Sequence, residues 1–146
     1  MRISKKTIRP LVWGALLVCG LSACATAPQD IPQLSAEELV QRAQEASDRN
    51  RYKVALQYYQ ALHDRNQAST DWTLTAEYEI AFIHYKQKKY AQAREELTAL
   101  LGRYDSPDAE LMPQQFRRLA AIVLKNIDEK EAKPGAPKNP AATGEG

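Results

Sequence analysis

Apolar residues recur at three-to-four spacing through the middle of the chain, and no window holds the period-two alternation of a strand. Leu39, Ala43 and Ala46 mark a first helix. Its start is written in Leu34-Ser35-Ala36-Glu37-Glu38-Leu39: Ser35 is placed as N-cap, Glu38 three positions on completes a capping box, and Leu34 and Leu39 are spaced to close as a hydrophobic staple. This helix is expected to run to about Arg49, with Asn50, which tolerates the left-handed conformation, as its stop. A second, over about residues 51–65, puts Tyr52, Ala55, Leu56, Tyr59 and Leu62 on one face. After a polar turn over 66–70, a third begins near Asp71 and reaches about Lys86, carrying Leu74, Tyr78, Ala81, Phe82 and Tyr85. A fourth, from Tyr90 to about Tyr104, buries Tyr90, Ala93, Leu97, Leu100 and Leu101. Ser106-Pro107 predicts a brief turn with Ser as cap and Pro at the first position. Pro113 belongs in the first turn of a last helix that ends near Lys130, with Phe116, Ala120, Val123, Leu124 and Ile127 inward. The fold class is all-α.

Sliding the chain by 38 residues pairs Tyr52 with Tyr90, Ala55 with Ala93, Tyr59 with Leu97 and Leu62 with Leu100. A helix–turn–helix unit repeated at nearly this period marks an α-solenoid. Over about residues 35–104 the pattern resembles the tetratricopeptide repeat, in which a small residue of one helix meets a small residue of the next so that the backbones approach. The resemblance assigns those places to Ala43 and Ala55 in the first copy and to Ala81 and Ala93 in the second. Tyr52 and Tyr90 take the aromatic position just inside the second helix of each pair. There are departures. The turn glycine is Asn50 or Lys88, the copies are spaced wider than the family's usual period, and the large aromatic early in the first helix is absent. Two copies also fall short of the three or so that a solenoid needs. The implied architecture is therefore a short right-handed α-solenoid of about two hairpins, with the last helix as a C-terminal cap.

The ends change the picture. Arg2, Lys5, Lys6 and Arg9 precede the apolar run Leu11-Val12-Trp13-Gly14-Ala15-Leu16-Leu17-Val18, which has the form of an export leader over residues 1–23. Leu21-Ser22-Ala23-Cys24 then resembles a bacterial lipoprotein box, which implies lipidation at Cys24, cleavage just before it, and a tether over 24–33. Cleavage at an A-x-A-like site and an uncut anchor are the alternatives. Ala25 after the cysteine matches the outer-membrane sorting rule of enteric bacteria, so the implied place is the outer membrane, facing the periplasm. Exported tetratricopeptide lipoproteins include those of the BamD type, which are much longer. The helical domain covers 34–131. The Pro-, Gly- and Ala-rich tail, 132–146, has too little apolar surface to offset its ordering entropy.

The formal net charge of +2 owes its sign to the leader. Without its four cations, 18 acids face 16 Lys plus Arg, a net of −2 and an argument against nucleic acid. Cys19 lies in the leader, so Cys24 has no partner for a disulfide. His63 and His84 lack the converging ligands a metal needs, and neither a nucleophile elbow nor a phosphate loop is present. No cofactor or enzymatic activity is expected. Tyr78, Phe82 and Tyr85 form one stripe of the third helix, with Lys86, Lys88 and Lys89 at its edge, either to meet an acidic partner or as solvated surface. If the repeat alignment holds, the stripe lines a concave face suited to a partner protein; the alternative for each of these aromatics is a place in the interhelical core. The expected function is a lipid-anchored adaptor in envelope assembly. A small-ligand or transport-associated binding lipoprotein and a structural homo-oligomer are the alternatives.

Overall fold

A computed structural model describes residues 30–67 and 69–132. The leader, Cys24, the first part of the tether and the tail from 133 lie outside the described residues. All regular structure among the described residues is helical: α1 Ala36–Asp48, α2 Tyr52–Arg65, α3 Thr70–Lys86, α4 Tyr90–Gly102 and α5 Gln114–Glu131. Single 3₁₀ turns occupy Ile31–Gln33, Arg103–Asp105 and Ala109–Leu111.

The capping box forms as expected. The Glu38 N–H donates to Ser35 Oγ at 3.2 Å, and the Ser35 N–H donates to Glu38 Oε2 at 2.7 Å. α1 and α2 then fold back on each other, as do α3 and α4, through two turns of the same construction. Asn50 and Lys88 take φ of 56° and 62°. The Asn50 N–H donates to Ser47 O at 2.9 Å and the Arg51 N–H to Ala46 O at 2.8 Å; 38 residues on, Lys88 bonds Tyr85 O at 2.9 Å and Lys89 bonds His84 O at 3.0 Å. These paired bonds satisfy carbonyls that the helix end leaves open, the Schellman arrangement.

The hairpins join where α2 packs on α3, and α5 lies against α4 and α3. Two apolar clusters result. Leu39, Ala43, Ala46, Ala55, Tyr58, Tyr59 and Leu62 make one with Ala76 and Ile83 of α3. Leu74, Tyr78 and Ala81 make the other with Ala93, Leu97, Leu100, Tyr104 and the inner face of α5. α3 therefore feeds both clusters from different sides, which is why its burial is not confined to the single face read from sequence. Ala43, Ala55, Ala81 and Ala93 are fully buried, each pair inside one cluster. Tyr52 and Tyr90 are half-buried beside them.

Three boundaries differ from expectation. The Arg65 guanidinium donates to Ile31 O at 2.8 Å and Leu34 O at 2.9 Å, and the Tyr58 hydroxyl to Asp30 Oδ1 at 3.2 Å. Asp30 to Gln33 is thus part of the packed domain rather than tether. Ser106 does not cap: its hydroxyl is buried without a partner, and Asp108 is the N-cap of the following turn. Pro113 stands at the N-cap of α5 rather than inside it. Its carbonyl accepts from the Tyr104 hydroxyl at 2.7 Å. The far end of α5 is held by Arg94, which reaches Asp128 and Glu131 at 2.7 Å each; those hydrogen bonds raise the Arg94 pKa further.

Candidate functional site

The stripe of aromatic residues on α3 extends into a continuous row. Tyr78 and Phe82 stack with centroids 5.8 Å apart, Phe82 and Tyr85 at 5.9 Å, and tilted contacts at 5.9 Å add Phe116 at one end and Tyr90 at the other. Such pairs contribute about 0.5–1.5 kcal/mol each beyond area burial. The row passes from core to surface. Tyr78 is only 7% exposed, and burial, then the charge of Glu79, pushes its pKa up to about 12. Tyr78 is a core residue and offers a partner almost nothing, contrary to its place among the expected contact residues. Phe82, Tyr85 and Tyr90 are half-buried.

Lys86 completes the row across the seam between hairpins. Its ammonium lies 5.3 Å from the Tyr52 centroid and 5.9 Å from that of Phe82, and it donates to Ser47 Oγ at 3.3 Å. Cation–π contacts at partly exposed sites contribute about 0.5–1 kcal/mol. Glu79, about two turns before Lys86 on α3, is half-buried; desolvation raises its pKa and Lys86 pulls the other way. Tyr52 was legible only as a packing residue. The signal that it also joins the surface row is its position just after the turn, level with Lys86.

A second cleft, of about 390 Å³, opens between α2, α3 and α4, where Gln60, His63, Glu77, Glu96 and Arg103 meet over Ile80 and Leu100. Its charges are mutually engaged. Arg103 bonds Glu77, His63 Nε2 lies 3.6 Å from the same carboxylate, and His84 Nδ1 meets Glu96 Oε2 at 2.7 Å. Gln92 donates to the other Glu96 oxygen at 3.1 Å. Glu77 Oε2 alone is buried without a partner. Sequence reasoning did not find this cluster, since its members come from three helices and the 3₁₀ turn after α4. Among the described residues no three His, Cys, Asp or Glu side chains converge to hold a metal, and no helix is long and apolar enough to cross a membrane.

The chain is similar to an uncharacterized protein of Treponema pallidum (strain Nichols), at 32% identity over 123 residues, which are 82% of this chain and 49% of the relative. The chain thus spans about half the length of that curated relative. No family model matches it, and no solved structure does.

Proposed function

We propose that the protein is a lipid-anchored adaptor of the bacterial envelope, held through Cys24 at the outer membrane and facing the periplasm. In this reading its two hairpins are a tetratricopeptide-like pair, a short right-handed solenoid capped by α5, and a partner protein binds across them. The observation that carries the reading is the half-exposed row Tyr52–Lys86–Phe82–Tyr85. It draws residues from both hairpins into one surface, and it pairs rings with a cation, as protein-recognition surfaces do. Tethering near the membrane would raise the local concentration of partner without any new contact. The cleft lined by His63 and Glu77 is open rather than enclosed, which favours a surface for a protein over a pocket for a small molecule.

The test is cross-linking in whole cells with identification of the captured protein. Phe82→Ala with Tyr85→Ala is expected to abolish capture while circular dichroism keeps full helicity. Capture that persists in this variant sinks the proposed surface. Incorporation of labelled palmitate that is equal in wild type and Cys24→Ala removes the anchor.

A further inference from the structure

The last helix runs toward one end of the ring row. α4 and α5 are antiparallel: Tyr104, just past the end of α4, meets Pro113 at the start of α5. Arg94, near the start of α4, meets Asp128 and Glu131 at the end of α5. Tyr90 stands four residues before Arg94, on the same face of α4 and one turn further along the direction in which α5 runs. Tyr90 is also where the row begins. From it the Tyr85 and Phe82 rings, the Lys86 ammonium and the Tyr52 ring follow in four steps of 5.3–5.9 Å. All four rings are half-buried.

The sequence that follows α5 is Lys133-Pro134-Gly135-Ala136-Pro137-Lys138-Asn139-Pro140. Three prolines at a spacing of three form one edge of a polyproline II helix, which has three residues per turn. Proline-rich segments of that form dock on surfaces lined by aromatic rings, since the extended form is already set and little entropy is lost. Tyr85 and Tyr90 can also donate their hydroxyls to the segment's carbonyls, which make no bonds within such a helix. The lengths agree: at about 3.1 Å per residue, Pro134 to Pro140 covers about 19 Å.

We infer that residues 134–140 of this chain dock on the Tyr90–Tyr85–Phe82 row as a polyproline II segment and cover, in cis, the surface that takes the partner. The inference rests on the adaptor reading for what the covering controls: a partner must displace the tail to bind. Proximity favours this occupant over a proline-rich segment of another protein. Only Lys133 separates Ala132, the C-cap of α5, from Pro134. So short a link gives an effective concentration in the millimolar range, and a weak contact suffices. Charge does not choose the site for Lys133 and Lys138, because Asp128, Glu129 and Glu131 end α5 while Lys88 and Lys89 precede Tyr90. The rings do.

The experiment places the photo-cross-linking residue benzoylphenylalanine at Tyr85 of the full chain in whole cells and maps the products by mass spectrometry. A cross-link within one chain to the peptide that holds Pro134 to Pro140 is expected. The same probe at Ile122, exposed on α5, should give none. In the Pro134→Ala/Pro137→Ala/Pro140→Ala variant the yield should fall by about tenfold or more, because alanine does not pre-set the extended form. Those prolines lie outside the five helices, so the melting temperature should not move, and capture of the partner should rise. Absence of a tail cross-link overturns the inference, as does a yield that the three alanines leave unchanged. A tail cross-link found only between two chains overturns it in favour of a second copy. If the tail cross-link forms while capture ignores Phe82 and Tyr85, the adaptor surface falls and the docking stands; the reverse pattern removes the docking alone.

Discussion

Replacing Lys88 with glycine should stabilise the protein, and the amount follows from one torsion angle. Lys88 sits at φ 62°, where a side chain with a Cβ costs roughly 1–2 kcal/mol relative to the right-handed region. Glycine removes that cost but loses more chain entropy on folding, about 0.5–1 kcal/mol. The net gain is about 0.5–1 kcal/mol. For a domain of about 100 residues each kcal/mol moves the midpoint by about 4–8 °C, so melting should rise by about 2–8 °C. The Lys88 side chain makes no ion pair among the described residues and is exposed, so its loss subtracts little. Lys88→Ala serves as control, because alanine keeps the Cβ and therefore the strain; it should melt with the wild type. Asn50→Gly should gain less, since asparagine already tolerates this conformation and Asn50 Oδ1 accepts from the Tyr52 hydroxyl at 2.7 Å. The assay is thermal and urea unfolding followed by far-UV circular dichroism. Equal melting of Lys88→Gly and Lys88→Ala, or an equal gain at Asn50, refutes the reasoning.

Two further outcomes follow from the core. Ala81 and Ala93 are 0% accessible inside one cluster, so leucine at both should overpack it at about 1–3 kcal/mol each; calorimetry that finds no lower midpoint would contradict close backbone approach there. Glu79 has a folded pKa raised above the ordinary 4.5, chiefly by burial. The folded state then holds more protons than the unfolded one, and stability falls as pH rises from about 4.5 through the raised value. Glu79→Gln should flatten that slope and melt above the wild type at neutral pH, and parallel melting profiles of the two proteins would exclude the effect.

Much of the fold was legible because local rules agreed. The Ser35–Glu38 box, the Asn50 stop and the 38-residue recurrence each predicted something the structure contains: a cap, a left-handed turn and a second turn of identical construction. What was missed has a common cause. α3 is buried on two sides, and a helix whose apolar residues face two neighbours shows no single stripe. Ala76, Ile83 and His84 were therefore not assigned to the core, and the stripe alone left Tyr78 open between core and surface; Phe116 covers it. Arg65 is polar and exposed, so nothing in the apolar pattern told that it would bind Asp30–Leu34 into the domain through two backbone carbonyls. The charged cleft of Glu77, Glu96 and Arg103 depends on which helices become neighbours, a property that spacing within one helix does not carry.

The same dependence gives the candidate surface its mechanical logic. Tyr52 belongs to the first hairpin and Lys86 and Phe82 to the second, so their contacts exist only while α2 and α3 hold their relative position. That position is set by Ala76 and Ile83 of α3 entering the cluster of Leu39, Tyr59 and Leu62. A cation–π contact is drawn from within about 6 Å of the ring centroid, and Lys86 lies at 5.3 Å and 5.9 Å from its two rings. It has little slack. A core change at Ile83 that shifts α3 by an ångström would break the row without touching any exposed residue. Partner binding and the packing of the hairpin seam should therefore fail together, whereas changes to the outer face of α5, remote from α2, should leave both intact.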